Sequence, residues 1–234
     1  MPFDMEISED NYDDSAFAQK LCSEELANML PDDDIKSFID IGAGTGFAAM
    51  EVIKRFPIAE AALLDKSIKM LEVAKKKIPD ATIINADAEV FDFMAAYFDL
   101  AIANLSMQWF KDCKSFLHKV VRHTKYFAFS LPLSNSFNEY YYIFRTIRIP
   151  FIRLYNQEEI LSMLPSDVQI ISRKNITVTK HYPNAIEATR HFKKIGATMP
   201  VDAEIQSKIS AILKSYKSPI ILNYDLFLCV CKST

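Results

Sequence analysis

The sequence predicts an α/β fold: a mostly parallel, seven-stranded sheet with helices on both faces, interrupted after its fifth strand by a helical insertion. Three observations carry this expectation. Short, nearly continuous apolar runs alternate with segments of helical period through the first 131 residues. Strands that read this way are buried on both faces, as parallel strands between helices are. Three of the four glycines fall within residues 42–46, directly after the first apolar run. Beyond Leu131 the alternation stops, and two helical segments follow with no apolar strand between them.

The elements follow in order. From Ser15 to Leu30, apolar residues at Phe17, Leu21, Leu26, Met29 and Leu30 approach helical period, and Pro31 ends the segment. "IKSFIDI" is the first strand and runs into the glycines; Phe47 to Phe56 is a helix ended by Pro57. "EAALLD" is the second strand, and "SIKMLEVAKKKI" a helix with Ser67 as its cap and Pro79 as its stop. "ATIINAD" and "FDLAIANL" are the third and fourth strands, followed by a helix over Cys113 to His123 and the fifth strand, "KYFAFSL". "NSFNEYYYIFRTIRI" and "NQEEILSML" read as helices, "DVQIISRKNITVTK" alternates like a strand, and helices are expected near Ala185–Ile195 and Ala203–Tyr216. "PIILNYDLFLCVCK" is the last strand. An insertion between the fifth strand and the end of the sheet belongs over the carboxyl edge, where open α/β folds bind ligands.

A chain of 234 residues is long enough for one large domain with a sizeable core. The N-terminus, "MPFDMEISED", is acidic and has no long apolar run, so no secretory signal is expected. No apolar stretch approaches the roughly 18 residues of a membrane span. Cys22, Cys113, Cys229 and Cys231 form no CxxC pair and no zinc-spaced cluster with histidine, which leaves no metal site and makes the cytoplasm the default compartment. Charge is uneven: residues 1–110 carry 21 acids and 9 bases, whereas residues 111–234 carry 9 acids and 18 bases. Either the halves attract one another or the second half receives something acidic.

Glycines between a strand and a helix let the backbone pass close to a ligand, while the helix start offers free N–H groups. A phosphate-cradling GxxxxGK[ST] loop is absent, and the dinucleotide pattern GxGxxG fails because Phe47 stands where the third glycine belongs. The order here is Gly42-Ala43-Gly44-Thr45-Gly46, preceded by Asp40. That variant suits a ligand with a carboxylate for the backbone N–H groups and a cationic end for Asp40. S-adenosylmethionine fits this description. Asp65, followed by Lys66, ends the second strand, where an acid accepts from both ribose hydroxyls. In "NADAE", Asp87 is placed to accept from an adenine amino group, with Ala88 leaving room beside the ring. Taken singly, each acid also reads as an ordinary helix-start charge.

"IDIGAGTG", "LLD", "NADAEVF" and "FDLAIANLSMQWF" resemble the ordered motifs of class I S-adenosylmethionine-dependent methyltransferases over residues 38–131. More narrowly, "NLSMQWF", "ATRHFKKIGA" and "NYDDSAFAQKLCSEEL" are similar to stretches of the malonyl-[acyl-carrier protein] O-methyltransferases of biotin synthesis. The resemblance implies the Rossmann-like fold of that class over a single domain: an N-terminal helical cap (1–35), a cofactor-binding half (36–131), a mostly helical substrate and lid region (132–215) with a strand near 167–180, and a final strand (216–234). It also implies that Gly42, Ala43, Gly44 and Gly46 approach the methionine part of the cofactor. Asp65 takes the ribose, Asp87 the adenine, and Asn104 with Leu105 lines the sulfonium side. Tyr12 and Gln19 lie over the cofactor. The chain departs from the family in lacking the proline-glycine turn before the fifth strand ("VVRHTKYF" instead) and in having Ala43 where many relatives have cysteine.

The reaction so implied is methyl transfer to the free carboxylate of a malonyl thioester on acyl carrier protein. A carboxylate is ionised at pH 7 and needs no general base, and no catalytic dyad or triad stands out. Trp109, Phe110 and Tyr140–Tyr142 are candidate walls, Arg145 and Arg148 candidate partners for acyl oxygens. His118, His123, His181 and His191 have no catalytic spacing. Arg190, His191, Lys193 and Lys194 form a basic cluster suited to dock an acidic carrier protein. Two alternatives stay open: a carboxyl methyltransferase of the trans-aconitate type, which needs no docking helix, and a non-catalytic cofactor-binding partner. A nucleic-acid substrate is disfavoured by a pI of about 5.8 and the absence of an (N/D)PPY motif.

Overall fold

The computed structural model describes residues 9–95, 97–147, 152–197 and 201–233. Among them, seven strands form one sheet in the order β3-β2-β1-β4-β5-β7-β6. The strands are β1 (Ser37–Ile41), β2 (Glu60–Asp65), β3 (Thr82–Asn85), β4 (Phe98–Asn104), β5 (Thr124–Pro132), β6 (Val168–Tyr182) and β7 (Ile220–Ser233). β1 to β5 run parallel, and β7 pairs antiparallel with both β5 and β6.

The order fixes where a ligand can sit. β1 lies between β2 and β4, so the connections leaving β1 and β4 diverge to opposite sides of the sheet. A crevice opens at the carboxyl ends of such a strand pair, and residues 42–46 begin there.

Alternation along the strands divides the core. One face buries Phe38, Leu63, Leu100, Ile102 and Leu228 against α2 (Phe17–Met29), α3 (Phe47–Arg55) and α4 (Ile68–Lys77). The other buries Ile39, Ile41, Ala101, Phe127 and Phe129 against α5 (Cys113–Val120) and α7 (Gln157–Met163). In α5 the apolar stripe Phe116, Leu117 and Val120 has helical spacing, and Asp112 caps it by accepting the Ser115 N–H at 2.9 Å. Phe116 meets Phe93, Phe110 and Phe127 edge-on; its removal would cost about 3–5 kcal/mol. All four cysteines are buried and free, packing as small apolar residues.

The chain start differs from the expectation of one helix from Ser15. A seven-residue helix, α1 (Glu9–Ser15), precedes α2, and the two meet at Ala16, whose φ of −83° and ψ of 44° break the helical path. The insertion is also less helical than its sequence suggests. Among the described residues of its first stretch, 135–147, only α6 (Asn138–Ile143) is α-helix, introduced by Phe137 with a left-handed φ of 64°. α8 (Ala185–Lys194) and α9 (Ala203–Ser215) follow. No residue of α9 is buried, although Ile205, Ile209, Ile212 and Leu213 line up at helical spacing. No helix among the described residues is long and apolar enough to cross a membrane.

Candidate active site

One cavity of about 780 Å³ runs from residues 42–46 into the insertion. Its size falls within the range of small-molecule sites. Of the residues singled out from the sequence, it is lined by Tyr12, Gln19, Asp40, Gly42, Ala43, Gly44, Asp65, Lys66, Ala88, Asn104, Leu105, Trp109, Phe110, Tyr140, Tyr141 and Lys193.

The three glycines have different reasons to be glycine. All have positive φ, at 69°, 54° and 88° for Gly42, Gly44 and Gly46. A β-carbon on Gly42 would lie 2.4 Å from Ser106 Cβ, so this glycine admits the turn after β4. A β-carbon on Gly46 would come to 3.2 Å from Ala74 Cβ, so it serves the packing of α3 on α4. Beside Gly44 there is open space, bounded by the Tyr12 hydroxyl at 3.8 Å. Gly44 alone is bare toward the cavity, and Gly46 does not line it.

Asp65 holds this loop in place. Its Oδ2 accepts the Gly44 N–H at 2.9 Å and its Oδ1 the Ser67 N–H at 2.8 Å. Burial pushes its carboxyl above the ordinary value, opposed by these N–H groups. The Lys66 N–H also acts on this carboxylate, which still keeps acceptor capacity for a ligand hydroxyl. Asp40 is 1% exposed and accepts the Ala49 N–H at 3.0 Å. Burial, with a smaller contribution from Asp65, pushes its carboxyl up to about 7. A buried and a half-buried carboxyl around an open backbone edge suit a ligand with hydroxyls and a cationic group, as an S-adenosyl amino acid has.

Asp87 does not line the cavity. Its carboxylate lies 3.0 Å from Lys66 Nζ and accepts the Glu89 N–H at 3.0 Å. Burial opposes ionisation, but these two donors hold its carboxyl below the ordinary value. Asn104 is consumed by the protein itself: its amide donates to Gln19 O at 2.8 Å and Ser23 Oγ at 2.7 Å, and its oxygen accepts from Ser130 Oγ at 2.6 Å. The side chain thus ties α2 to the ends of β4 and β5. The next residue, Leu105, has a φ of 46°. Leu105 and Phe137, the two non-glycine residues with positive φ among those described, both line the cavity. Such strain, of order 1–3 kcal/mol, gathers at functional sites.

The half of the cavity under the insertion is walled by Phe137, Tyr141, Phe144, Phe192, Ile209 and Leu213, and among the described residues its one cation is Lys193. This divides the basic cluster expected from the sequence. Arg190, Lys193 and Lys194 are all exposed; Arg190 pairs with Glu187, and Lys193 also reaches the cavity and lines its rim. His191 is only 9% exposed, among Phe17, Tyr182 and Phe192, because its helix turns Ala188, His191 and Phe192 inward; burial lowers its imidazole to about 4. Arg145 does not line the cavity either. Its guanidinium stacks 3.7 Å over the exposed ring of Tyr142 and donates to Tyr142 O. Arg148 lies outside the described residues.

Sequence reading missed Asp13, whose carboxylate accepts from Thr45 Oγ1 at 2.8 Å and pairs with Lys77 Nζ at 2.6 Å. It clasps α1 to the glycine loop and to α4, which holds Tyr12 over the cavity. Its neighbour in "NYDDSAF" was the only cue, since both partners are distant in sequence. Among the described residues no group of His, Cys, Asp or Glu is arranged to hold a metal ion.

A family model described as a methyltransferase domain matches residues 38–126. The malonyl-[acyl-carrier protein] O-methyltransferase of Pseudescherichia vulneris is 30% identical over 194 residues, covering 80% of this chain and 75% of that protein. The match spans 82% of one further relative of that name and 39% of another. A trans-aconitate 2-methyltransferase of Enterobacter sp. (strain 638) is 36% identical over 88 residues, covering 38% of this chain and 34% of the relative. The solved structure of a plantazolicin methyltransferase in complex with SAH covers 97% of this chain and 89% of that one, with a TM-score of 0.57 and 17% identity. At that identity the likeness is one of fold.

Proposed function

We propose that this chain, which belongs to the class I S-adenosylmethionine-dependent methyltransferases, methylates the free carboxylate of a malonyl thioester carried on acyl carrier protein. The observation that carries the reading is the acceptor half of the cavity: aromatic and aliphatic walls with one lysine among the described residues. One cation suits one carboxylate on an otherwise uncharged chain. A small acid with several carboxylates would bring charges that the chamber leaves unmatched, and unmatched buried charge is costly.

S-adenosylmethionine, when bound, supplies a methyl group on a positively charged sulfonium. Gly44, Asp65 and Asp40 are the residues that would hold its amino-acid and ribose parts, with Ala88 and Ile68 beside the base. Trp109, Phe110 and Tyr141 exclude water from the space between the two halves. There the attraction between a carboxylate and a cationic centre is little screened. Lys193 fixes the acceptor's charge, and the rigid walls limit its orientations. Alignment of this kind is worth up to about 7–11 kcal/mol, and no residue of the chain has to take or give a proton. Arg190 and Lys194 remain candidates for docking the acidic carrier, and the ester would serve as a primer for pimeloyl synthesis toward biotin.

The likeness to the trans-aconitate enzyme over 88 residues supports a second reading, a small-acid carboxyl methyltransferase. Purified protein with S-adenosylmethionine is therefore to be offered malonyl-acyl carrier protein, malonyl-coenzyme A and trans-aconitate in parallel. One methyl added to the intact carrier, and removed by ester hydrolysis, is the expected result. Methylation of trans-aconitate alone would select the second reading.

A further inference from the structure

Four buried side-chain polar atoms among the described residues have no hydrogen-bond partner: Gln108 Oε1, His118 Nε2, His191 Nε2 and the Tyr224 hydroxyl. Native proteins rarely leave such atoms unmatched, and each exception calls for a reason. Two of the four belong to residues that line the cavity, Gln108 and Tyr224. Gln108 belongs to the short turn Met107–Trp109, its amide nitrogen already donating to Leu105 O at 2.6 Å. Tyr224 stands on β7, on the acceptor side, and is 4% exposed.

The Tyr224 ring is fixed. It meets Phe137 at 4.6 Å and 89°, Phe17 at 5.0 Å and 81°, and His191 at 6.2 Å and 89°. Its backbone neighbours are tied to the loop that opens the insertion: Phe137 N–H donates to Asn223 O at 3.0 Å, and Leu133 N–H to Asp225 O at 2.7 Å. A tyrosine held this firmly presents its hydroxyl at one point, with little freedom left to lose on binding.

We infer that the Tyr224 hydroxyl is an acceptor-binding group, donating a hydrogen bond to an oxygen of the carboxylic-acid substrate inside the cavity. This rests on the reading of the cavity as the acceptor chamber of a carboxyl methyltransferase. Burial raises the phenol well above its ordinary value, so it stays a donor throughout the working pH range. Lys193 lines the same chamber. A cation and a neutral donor between apolar walls suit a carboxylate together with the carbonyl beside it, the pattern of oxygens in a malonyl thioester. The competing account is structural: a water joining the Tyr224 hydroxyl to the unpartnered His191 Nε2.

Tyr224→Phe separates the two, because it deletes one oxygen and keeps the ring. Three quantities are compared with the wild type: melting temperature without ligand, affinity for S-adenosylhomocysteine, and kcat/KM for whichever carboxylic acid the wild type methylates. We expect an unchanged or raised melting temperature, unchanged S-adenosylhomocysteine affinity and a kcat/KM for the acceptor at least tenfold lower. Acceptor kinetics within twofold of wild type would overturn the inference, as would a parallel loss of S-adenosylhomocysteine affinity. A wild-type protein that methylates no acid among malonyl-acyl carrier protein, malonyl-coenzyme A and trans-aconitate overturns the underlying reading and this inference with it. Wild-type turnover with an indifferent Tyr224→Phe overturns the inference alone.

Discussion

Asp13 accepts a hydrogen bond from Thr45 Oγ1 at 2.8 Å, joining the first helix of the chain to the glycine loop. The same carboxylate pairs with Lys77, and both partners of that pair are largely shielded, at 30% and 24% side-chain exposure. Because α1 is cut from α2 at Ala16, helix continuity does not hold Tyr12 over the cavity, and its place rests on the Asp13 contacts together with its own stacking on Phe47 at 6.5 Å. Asp13→Ala is therefore expected to loosen α1 without disturbing the sheet. Charged hydrogen bonds are worth about 1.5–3 kcal/mol; discounting for partial exposure leaves about 1–2 kcal/mol. Calorimetry should show S-adenosylhomocysteine binding weakened roughly five- to thirtyfold at a nearly unchanged melting temperature. Unaltered affinity would mean that α1 does not cover the ligand.

The glycines should respond differently to alanine. Gly42→Ala drives a methyl to 2.4 Å from Ser106 Cβ, whose own hydroxyl is held by Ile41 O at 2.8 Å and has nowhere to go. Overpacking and left-handed strain together predict a loss of about 2–5 kcal/mol in stability. Gly44→Ala meets no wall and costs about 1–2 kcal/mol of backbone strain. It nevertheless puts a methyl where the ligand must approach. Thermal melts should single out Gly42→Ala, and binding assays Gly44→Ala among variants that still fold.

The strands, the parallel core and the position of residues 42–46 were legible because they depend on local composition. An unbroken apolar run buries on both faces wherever it lies, and a strand-glycine-helix succession needs no distant partner. Asn104 shows where this stops. Its place at the end of β4 was readable, but its engagement with Ser23 and Ser130 depends on how α2 docks. The same holds for the basic cluster on α8: Arg190 and Lys193, three residues apart, share a helix face, so only the elements packed around them decide which one lines a cavity. His191 was read as a surface charge and is core, since an imidazole is apolar enough to pack once it is neutral. Phe137 and Tyr224 carried no signal at all, because left-handed φ at phenylalanine and an unpartnered hydroxyl exist only in three dimensions.

Asp40 predicts a pH dependence whose sign can be worked out. Its folded carboxyl, near 7, lies above its ordinary 3.8. The stability this group contributes is present below about pH 4 and is lost as pH rises through about 7, because the unfolded chain releases the proton first. A ligand with a cationic group favours the ionised carboxylate, so binding below pH 7 must expel a proton. Affinity for S-adenosylmethionine should climb by up to about tenfold per pH unit between about 5 and 7, then flatten. Calorimetry in two buffers of different ionisation enthalpy counts the proton, and Asp40→Asn should abolish the slope. A flat profile in the wild type would place the cationic end elsewhere.

Lys193 and Arg145 offer opposite outcomes from the same kind of change. Arg145 is exposed, and its stacking on Tyr142 is a surface contact worth at most about 1 kcal/mol. Arg145→Ala should leave acceptor kinetics within a factor of two. Lys193→Met keeps the length and apolar stem of the side chain while removing the charge from the chamber. If the lysine meets the acceptor's carboxylate, KM for the acceptor rises about tenfold or more, the loss of one charge-assisted hydrogen bond, while S-adenosylhomocysteine affinity is unchanged. If it serves only to attract an acidic carrier, the defect appears with malonyl-acyl carrier protein and is absent with malonyl-coenzyme A. Lys194→Glu, outside the cavity, should show that second pattern. Equal defects of Lys193→Met on both thioesters, beside a carrier-specific defect of Lys194→Glu, would assign the two neighbouring lysines to different jobs: one to the carboxylate and one to the protein that presents it.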